Sequence, residues 1–495
     1  MPTADDVYDN PLIGRYASRE MAERWGPLRK FRTWRRLWLA LAEAQAELGL
    51  LGEDGTARIR PEQLAELRAH LDDVDLARAA EHEKRLRHDV MAHVHALKDV
   101  APGCGDIIHL GATSCYVTDN ADLILMREGL NQLCESLACV IDALARFARE
   151  WKDEPTLGFT HFQPAQLTTV GKRAALWLFD FVLDLRELER RRDALPFRGA
   201  KGTTGTQASF LALFRGDHAK VKALDELVAT KMGFIRVFPV TGQTYSRKID
   251  TQILDALNGL AQSAHKWGTD LRLLAHRQEI DEPFEEEQIG SSAMAYKRNP
   301  MRAERMCSLA RFVSGLPAMA AATAATQWFE RTLDDSACRR LYIPQAFLAA
   351  DAVLRIALNL LTQKTGPDTR GLVVNRPVIA RNVREYLPYM VTENLMMAAV
   401  RGGEDRQVVH EVVRQHSHAV TARVKSGEGT PRELLERLQN EAAFAGVDFA
   451  AIAGAGPMEF VGRSPQQVEE FIAEHVAPIR DSYRHVLGKT ADLHV

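Results

Sequence analysis

Along the 495-residue chain, apolar residues recur at three- and four-residue spacing over long segments, and strict alternation is scarce. That periodicity is the mark of amphipathic helices and predicts an all-α protein. Between Pro27 and Leu51 the residues Leu28, Phe31, Trp34, Leu37, Trp38, Leu41 and Leu48 form one stripe, with Gly52 as the expected stop. Pro61 opens a short helix. From Thr118 to Trp151 the stripe Leu123, Met126, Leu130, Leu133, Leu137, Ile141, Leu144 and Phe147 runs without proline for about nine turns. Further long helices are predicted over 166–194, 246–278 and 300–329. Strand-like sequence is confined to patches such as 234–240. Helices this long without internal caps point to a bundle with members side by side.

Pro/Gly punctuation divides the pattern. Ala101-Pro102-Gly103-Cys104-Gly105 ends a first helical region, and Gly366-Pro367-Asp368 closes the central bundle. The expected division is 1–111, 112–366 with the long helices, and 367–495. Lys and Arg number 63 against 66 Asp and Glu, so no global field favours nucleic acid or an anionic membrane. No apolar run approaches the roughly 20 residues of a spanning helix; the stretch 314–329 is short and mildly polar. Asp5, Asp6 and Asp9 near the start are unlike a signal peptide, and a cytoplasmic protein is expected. Six scattered cysteines without CxxC read as buried thiols.

Polar segments interrupt the helices where a bundle needs only short connections. Gly111-Ala112-Thr113-Ser114, running into Thr118-Asp119-Asn120, places hydroxyls and small residues at a helix start, where a carboxylate or phosphate can be held. An ordinary capping turn fits the same residues. In Thr160-His161-Phe162-Gln163-Pro164-Ala165-Gln166, the His161 imidazole is a group that can exchange a proton with a substrate, and Thr160, Gln163 or Gln166 can orient it. The glycine-rich run 199–206 lacks the GK[ST] ending of a P-loop and is expected to be a mobile loop. Gly290-Ser291-Ser292-Ala293-Met294-Ala295-Tyr296-Lys297-Arg298-Asn299-Pro300 combines hydroxyls and cations suited to an anionic ligand. His88, His93 and His95 do not share one helix face, so no metal centre is expected.

Taken in order, these segments resemble the fumarase/aspartase superfamily of β-elimination lyases. Its signature, approximately GSSxMPxKxNP, is matched by 290–294 and 297–300, with Ala295 where proline is usual. That departure bears on loop stiffness rather than on the chemistry. Tyr296-Lys297-Arg298-Asn299-Pro300, Arg87-His88-Asp89-Val90, Gly14-Arg15-Tyr16-Ala17-Ser18, Arg331-Thr332-Leu333-Asp334-Asp335-Ser336 and Glu393-Asn394-Leu395-Met396-Met397 are similar to the adenylosuccinate lyase branch.

The resemblance implies elimination of fumarate from adenylosuccinate, giving AMP, and from SAICAR, giving AICAR, without metal or organic cofactor. It also implies a homotetramer with active sites shared between subunits, and neither nucleic acid nor membrane as a partner. By the same resemblance, Ser291 is the general base and His161 the general acid. Thr113, Ser114, Lys297 and Asn299 are expected to hold the succinyl carboxylates, and Arg87, His88, Asp89 and Gln243 to line the cleft. Arg15, Tyr16, Arg305, Arg331, Ser336 and Arg340 are expected at the nucleotide and phosphate. A sister lyase acting on argininosuccinate, and a non-catalytic helical scaffold or RNA-binding protein, are the alternatives.

Overall fold

The computed structural model describes residues 8–364, 366 and 370–493. Asp5, Asp6, and the Pro367 and Asp368 of the expected closing turn, lie outside the described residues. Among the described residues the chain is all-α, save for a hairpin, Pro155–Thr160 with Gln163–Thr169, and a short pair, Ile280–Asp281 with Val373–Val374. Long helices Ser114–Glu150, Val170–Ala194, Lys248–His276 and Asp335–Thr362 pack side by side. In the first, Leu123, Met126, Leu130, Leu133, Leu137, Ile141 and Leu144 are fully buried. Each such side chain contributes about 1.5–3 kcal/mol on leaving water, so the predicted stripe is a principal driver of the bundle.

Several boundaries differ from the sequence expectation. Residues 163–169 are strand; the helix expected from 166 begins at Val170, where the Thr169 side chain accepts from the Lys172 N–H at 3.1 Å. The helix expected over 300–329 is broken into Met301–Gly315 and Pro317–Ala325, because Pro317 cannot donate to the preceding turn. The Pro27–Glu47 helix ends before Gly52, since Gly49 takes the left-handed conformation at φ 68°. The 234–240 patch is not a strand and makes only the isolated bridge between Phe197 and Val237.

Asp335–Thr362 was not picked out by periodicity. It is apolar almost all round, carries Pro344 in its interior, and occupies the middle of the bundle. This helix, rather than 314–329, is long and apolar enough to cross a membrane by length and composition; its apolar window is 78% buried inside the chain. One apolar core extends from Leu12 to Met390 and takes in Val468, Ile472 and Val476, while Val391, Leu395, Val409, Val420 and Phe449 belong to a second. Five cysteines are buried and Cys338 is half-buried, all as free thiols.

A buried polar lattice crosses the bundle. The Arg247 guanidinium forks onto Asp119, both contacts at 3.0 Å, and its Nε donates to Asp335 at 2.7 Å. Arg339 donates to Asp250 at 2.7 Å and to the Tyr245 hydroxyl at 2.5 Å, and pairs with Asp122 at 2.9 Å. Burial by itself would raise the Asp119 carboxyl, but Arg247 and Arg339 outweigh it and hold it below the ordinary value.

Asp250→Ala leaves Arg339 and Tyr245 without their shared acceptor. Arg339 keeps Asp122 as a carboxylate partner while the buried Tyr245 hydroxyl loses its acceptor, so denaturant unfolding should show a loss of about 1–3 kcal/mol; a loss below about 0.5 kcal/mol would mean that this contact is dispensable.

Asp184 offers a stability test with a defined pH direction. It faces Gly259 across the Val170–Ala194 and Lys248–His276 contact, and its Oδ2 has no partner. Burial, opposed by Ser263 and aided by Asp180, pushes its carboxyl up to about 7. The folded chain therefore retains this proton after the unfolded chain has lost it, and stability falls as pH rises from the ordinary carboxylate range to about 7. Asp184→Asn should match wild type in acid, gain over it through that window and level off above about 7, by at most about 4 kcal/mol. A pH-independent difference between the two unfolding curves would contradict this.

Candidate active site

The lattice forms the floor of a cleft of ≈ 870 Å³. Its wall includes Arg87, His88, Asp89, Ser114, Gln243, Arg331, Ser336 and Arg340 from the sequence-derived set. A further hollow of ≈ 700 Å³, around Glu20, Arg127 and Arg236, holds none of that set.

Local backbone chemistry explains why these residues converge. Arg87 ends the Leu76–Leu86 helix in the left-handed conformation, φ 54°, turning the chain so that His88 caps Asp89–Val100. The His88 Nδ1 accepts from the Met91 N–H at 3.3 Å, which assigns the proton to Nε2, 3.3 Å from the Ser114 hydroxyl. Thr113 stands at the N-cap of Ser114–Glu150, so the free N–H groups of a 37-residue helix open beside Ser114. Gly111, at φ 75°, permits that entry: a Cβ there would lie 2.7 Å from Leu213.

Gln243 donates to the Thr113 hydroxyl at 3.1 Å, and its own N–H donates to the Glu330 carbonyl at 2.9 Å. The glycine-rich run behind it is anchored at its start and at Gly205, with Thr203, Thr204 and Thr206 exposed. Gly199 and Asn120 exchange hydrogen bonds, Lys201 pairs with buried Asp225, and a Cβ on Gly205 would come within 1.8 Å of the Thr241 carbonyl. Arg331 donates to the Cys115 sulfur at 3.3 Å, and Arg340 pairs with Asp89 at 3.0 Å. Burial pushes the Cys115 thiol up to about 11, keeping it protonated.

The other expected residues stand elsewhere on this chain. His161 and Phe162 form the tip of the hairpin, between paired Thr160 and Gln163, with φ 52° and 58°. Both left-handed positions are filled by non-glycine residues, a conformation that costs about 1–2 kcal/mol per residue. His161 is thereby held out in solvent. Gln163 donates to the Phe162 carbonyl at 3.2 Å and Gln166 to Glu393, so neither orients the imidazole. Arg15 and Tyr16 lie in the turn Leu12–Tyr16 against Asp335–Thr362, and Arg305 lies on Met301–Gly315.

Ser291, Lys297 and Asn299 lie on the signature loop. The Ser291 Oγ accepts from the Met294 N–H at 3.2 Å. Asn299 donates its amide to the Gly290 carbonyl at 2.9 Å, so in this conformation it closes the loop. The loop is anchored where it meets Met301–Gly315: both oxygens of Glu282 accept first-turn N–H groups, from Arg302 at 3.0 Å and Ala303 at 2.6 Å. Burial pushes that carboxyl up to about 7.

Sequence reading missed Lys30, Phe31, Asp122, Arg247 and Arg339 in this cleft. Arg247 and Arg339 carried no local signal, since Arg247 stands at a helix N-cap between Ser246 and Lys248 and Arg339 stands beside Arg340 in a polar first turn. Lys30 carried none, being one cation in a basic first turn.

Comparisons with known proteins identify the family. Residues 27–315 match the family described as Lyase, and residues 388–471 match the one described as Adenylosuccinate lyase C-terminus. The chain is 52% identical to the adenylosuccinate lyase of Saccharomyces cerevisiae over 96% of both chains. It is 50% identical to that of Schizosaccharomyces pombe over 95% of both. Among solved structures, a fumarate lyase from Mesorhizobium sp. BNC1 has a similar fold, with a TM-score of 0.76 at 22% identity, covering 94% of this chain and 100% of the other. Similarity of this extent, joined to the cleft and the signature loop, establishes that the chain belongs to the adenylosuccinate lyase family of the fumarase/aspartase superfamily.

Proposed function

We propose that this chain eliminates fumarate from adenylosuccinate to give AMP, and from SAICAR to give AICAR, in sites shared between subunits of a homotetramer. The observation that carries the shared-site reading is a separation. The cleft collects His88, Ser114, Gln243, Arg331 and Arg340, while His161 stands on an exposed hairpin tip and Ser291 on a separate loop. A second observation favours assembly: Leu176, Leu183 and Leu341 are exposed on the long helices of the isolated chain, and Phe312 and Met319 on the Met301–Gly315 and Pro317–Ala325 helices. Apolar faces of this kind are what symmetric association buries. Soluble nucleotide substrates suit a cytoplasmic enzyme.

In this reading Ser291 removes the proton from the carbon next to a carboxylate, and His161 protonates the departing nitrogen. A serine hydroxyl is a weak base, so the alkoxide must be favoured. The Met294 N–H on Oγ supplies one stabilising donor, and Lys297 on the same loop supplies charge. Negative charge building on the carboxylate is met by Ser114, Thr113 and the opening of the Ser114–Glu150 helix. Arg331 and Arg340 offer guanidinium forks to phosphate oxygens. The reading predicts that no metal or organic cofactor is needed.

Fumarate release followed by absorbance tests the activity, and mixing tests the sharing. Ser291→Ala and His161→Ala should each lose roughly 10²- to 10⁴-fold in kcat. If the two side chains reach one site from different subunits, exchanged hybrids contain some fully native sites and activity partly returns. Labelled subunits that demonstrably exchange yet recover no turnover would sink the shared site.

Solvent exchange separates the base from the acid. Ser291→Ala should bind adenylosuccinate nearly as wild type while almost inactive, the pattern of a lost transition-state role. Wherever substrate exchanges its β-hydrogen with deuterated solvent, that exchange should require Ser291. Exchange that persists in folded Ser291→Ala but disappears in His161→Ala would reverse the roles.

A further inference from the structure

Lys30 lies in the first turn of Pro27–Glu47 and lines the wall of the cleft. Its surroundings are unusual for a lysine. The ammonium sits 5.3 Å from the Phe31 ring centroid and 5.1 Å from that of Trp34, against aromatic faces rather than in open water. Burial pushes it below the ordinary lysine range; Asp122, Asp89 and Glu83 pull the other way, while Arg340 adds to the downward push.

Three of the neighbouring cations are already engaged. Arg247 is held by Asp119 and Asp335, Arg339 by Asp250 and Asp122, and Arg340 by Asp89. Lys30 has no ion-pair partner among the described residues, although it shares the wall with Arg340. Asp122, Asp89 and Glu83 act on the ammonium only from beyond ion-pair distance and Arg340 opposes them, so among the described residues the half-buried ammonium facing the cleft has no direct anionic partner. An anion entering the cleft would supply it.

We propose that Lys30 is a substrate ligand whose ammonium binds an oxyanion of the substrate in the cleft, either the phosphate or a succinyl carboxylate. The identity of that anion rests on the adenylosuccinate reading; the binding of an anion does not. The cation–π contacts with Phe31 and Trp34 keep the side chain in the wall, so little is lost in ordering it when the anion arrives.

The test uses the full chain, with Lys30→Gln and Lys30→Arg. Lys30→Gln should raise KM for adenylosuccinate roughly tenfold or more, as expected for a lost charge-assisted contact, with kcat little changed. Lys30→Arg should restore most of the affinity. Inhibition by inorganic phosphate and by fumarate identifies the anion: weakened phosphate inhibition assigns Lys30 to the phosphate end, weakened fumarate inhibition to the succinyl end. In the unaltered chain a lysine-directed reagent should modify Lys30, and AMP or fumarate should protect it, a measurement that does not depend on a variant folding. Unchanged KM and inhibition constants, or modification without protection, overturns the proposal. Wild-type protein that binds phosphate through Lys30 but releases no fumarate from adenylosuccinate would refute the function and leave this ligand role standing.

Discussion

Arg247 and Arg339 hold the cleft together from beneath. Their carboxylate partners come from the start of Ser114–Glu150, the start of Lys248–His276 and the start of Asp335–Thr362, with Tyr245 added from the intervening loop. Each of these segments also carries a cleft residue a few positions away: Ser114 near Asp119, Gln243 near Tyr245, Ser336 beside Asp335 and Arg340 beside Arg339. Forked guanidinium contacts fix direction as well as distance. The same ion pairs that satisfy the buried charges therefore set the spacing of the ligand-facing groups. In a low-dielectric interior an unpaired member of such a set is costly, so the arrangement resists small displacements.

Polar chemistry and strain are distributed unequally over this frame. The cleft wall is built on helix starts, where free N–H groups and capping side chains are available without breaking a helix. The candidate acid is carried instead on a tight turn, with His161 and Phe162 both left-handed, and Arg87 is left-handed at the entry to the cleft. Non-glycine residues at such angles persist only where surrounding structure holds them. The hairpin supplies that hold through its cross-strand pairing, and the Leu76–Leu86 and Asp89–Val100 helices supply it for Arg87. The signature loop is held by Glu282 at its junction with a helix, leaving Ser291 and Lys297 on the span between.

The legible parts of the site were short segments in which several polar groups sit together. Thr113-Ser114, the His161 segment and the 290–300 loop stood out because helix bundles rarely place such residues in sequence without a reason, whereas Arg87-His88-Asp89 entered only through the resemblance, which also gave the others their roles. Lys30 was not legible, since its meaning comes from Arg340 and Asp122, which are remote in sequence. The close approach of Gly199 to Asp225 and of Gly205 to Thr241 was not legible for the same reason.

By itself, the sequence determined the helical class, the buried stripe of Ser114–Glu150 and the segments that carry the chemistry, because periodicity and turn residues act within a few neighbours. It did not determine that Asp335–Thr362 runs through the bundle, since beyond Leu341 the helix is buried on nearly all sides and shows no amphipathic period. Nor did it decide that Gln163–Thr169 is a strand, which depends on pairing with Pro155–Thr160. Only the tertiary structure selected which carboxylate meets which guanidinium. Local sequence specifies that these charges are present, but their partners lie many residues away, and the distance between them exists only after the helices have packed.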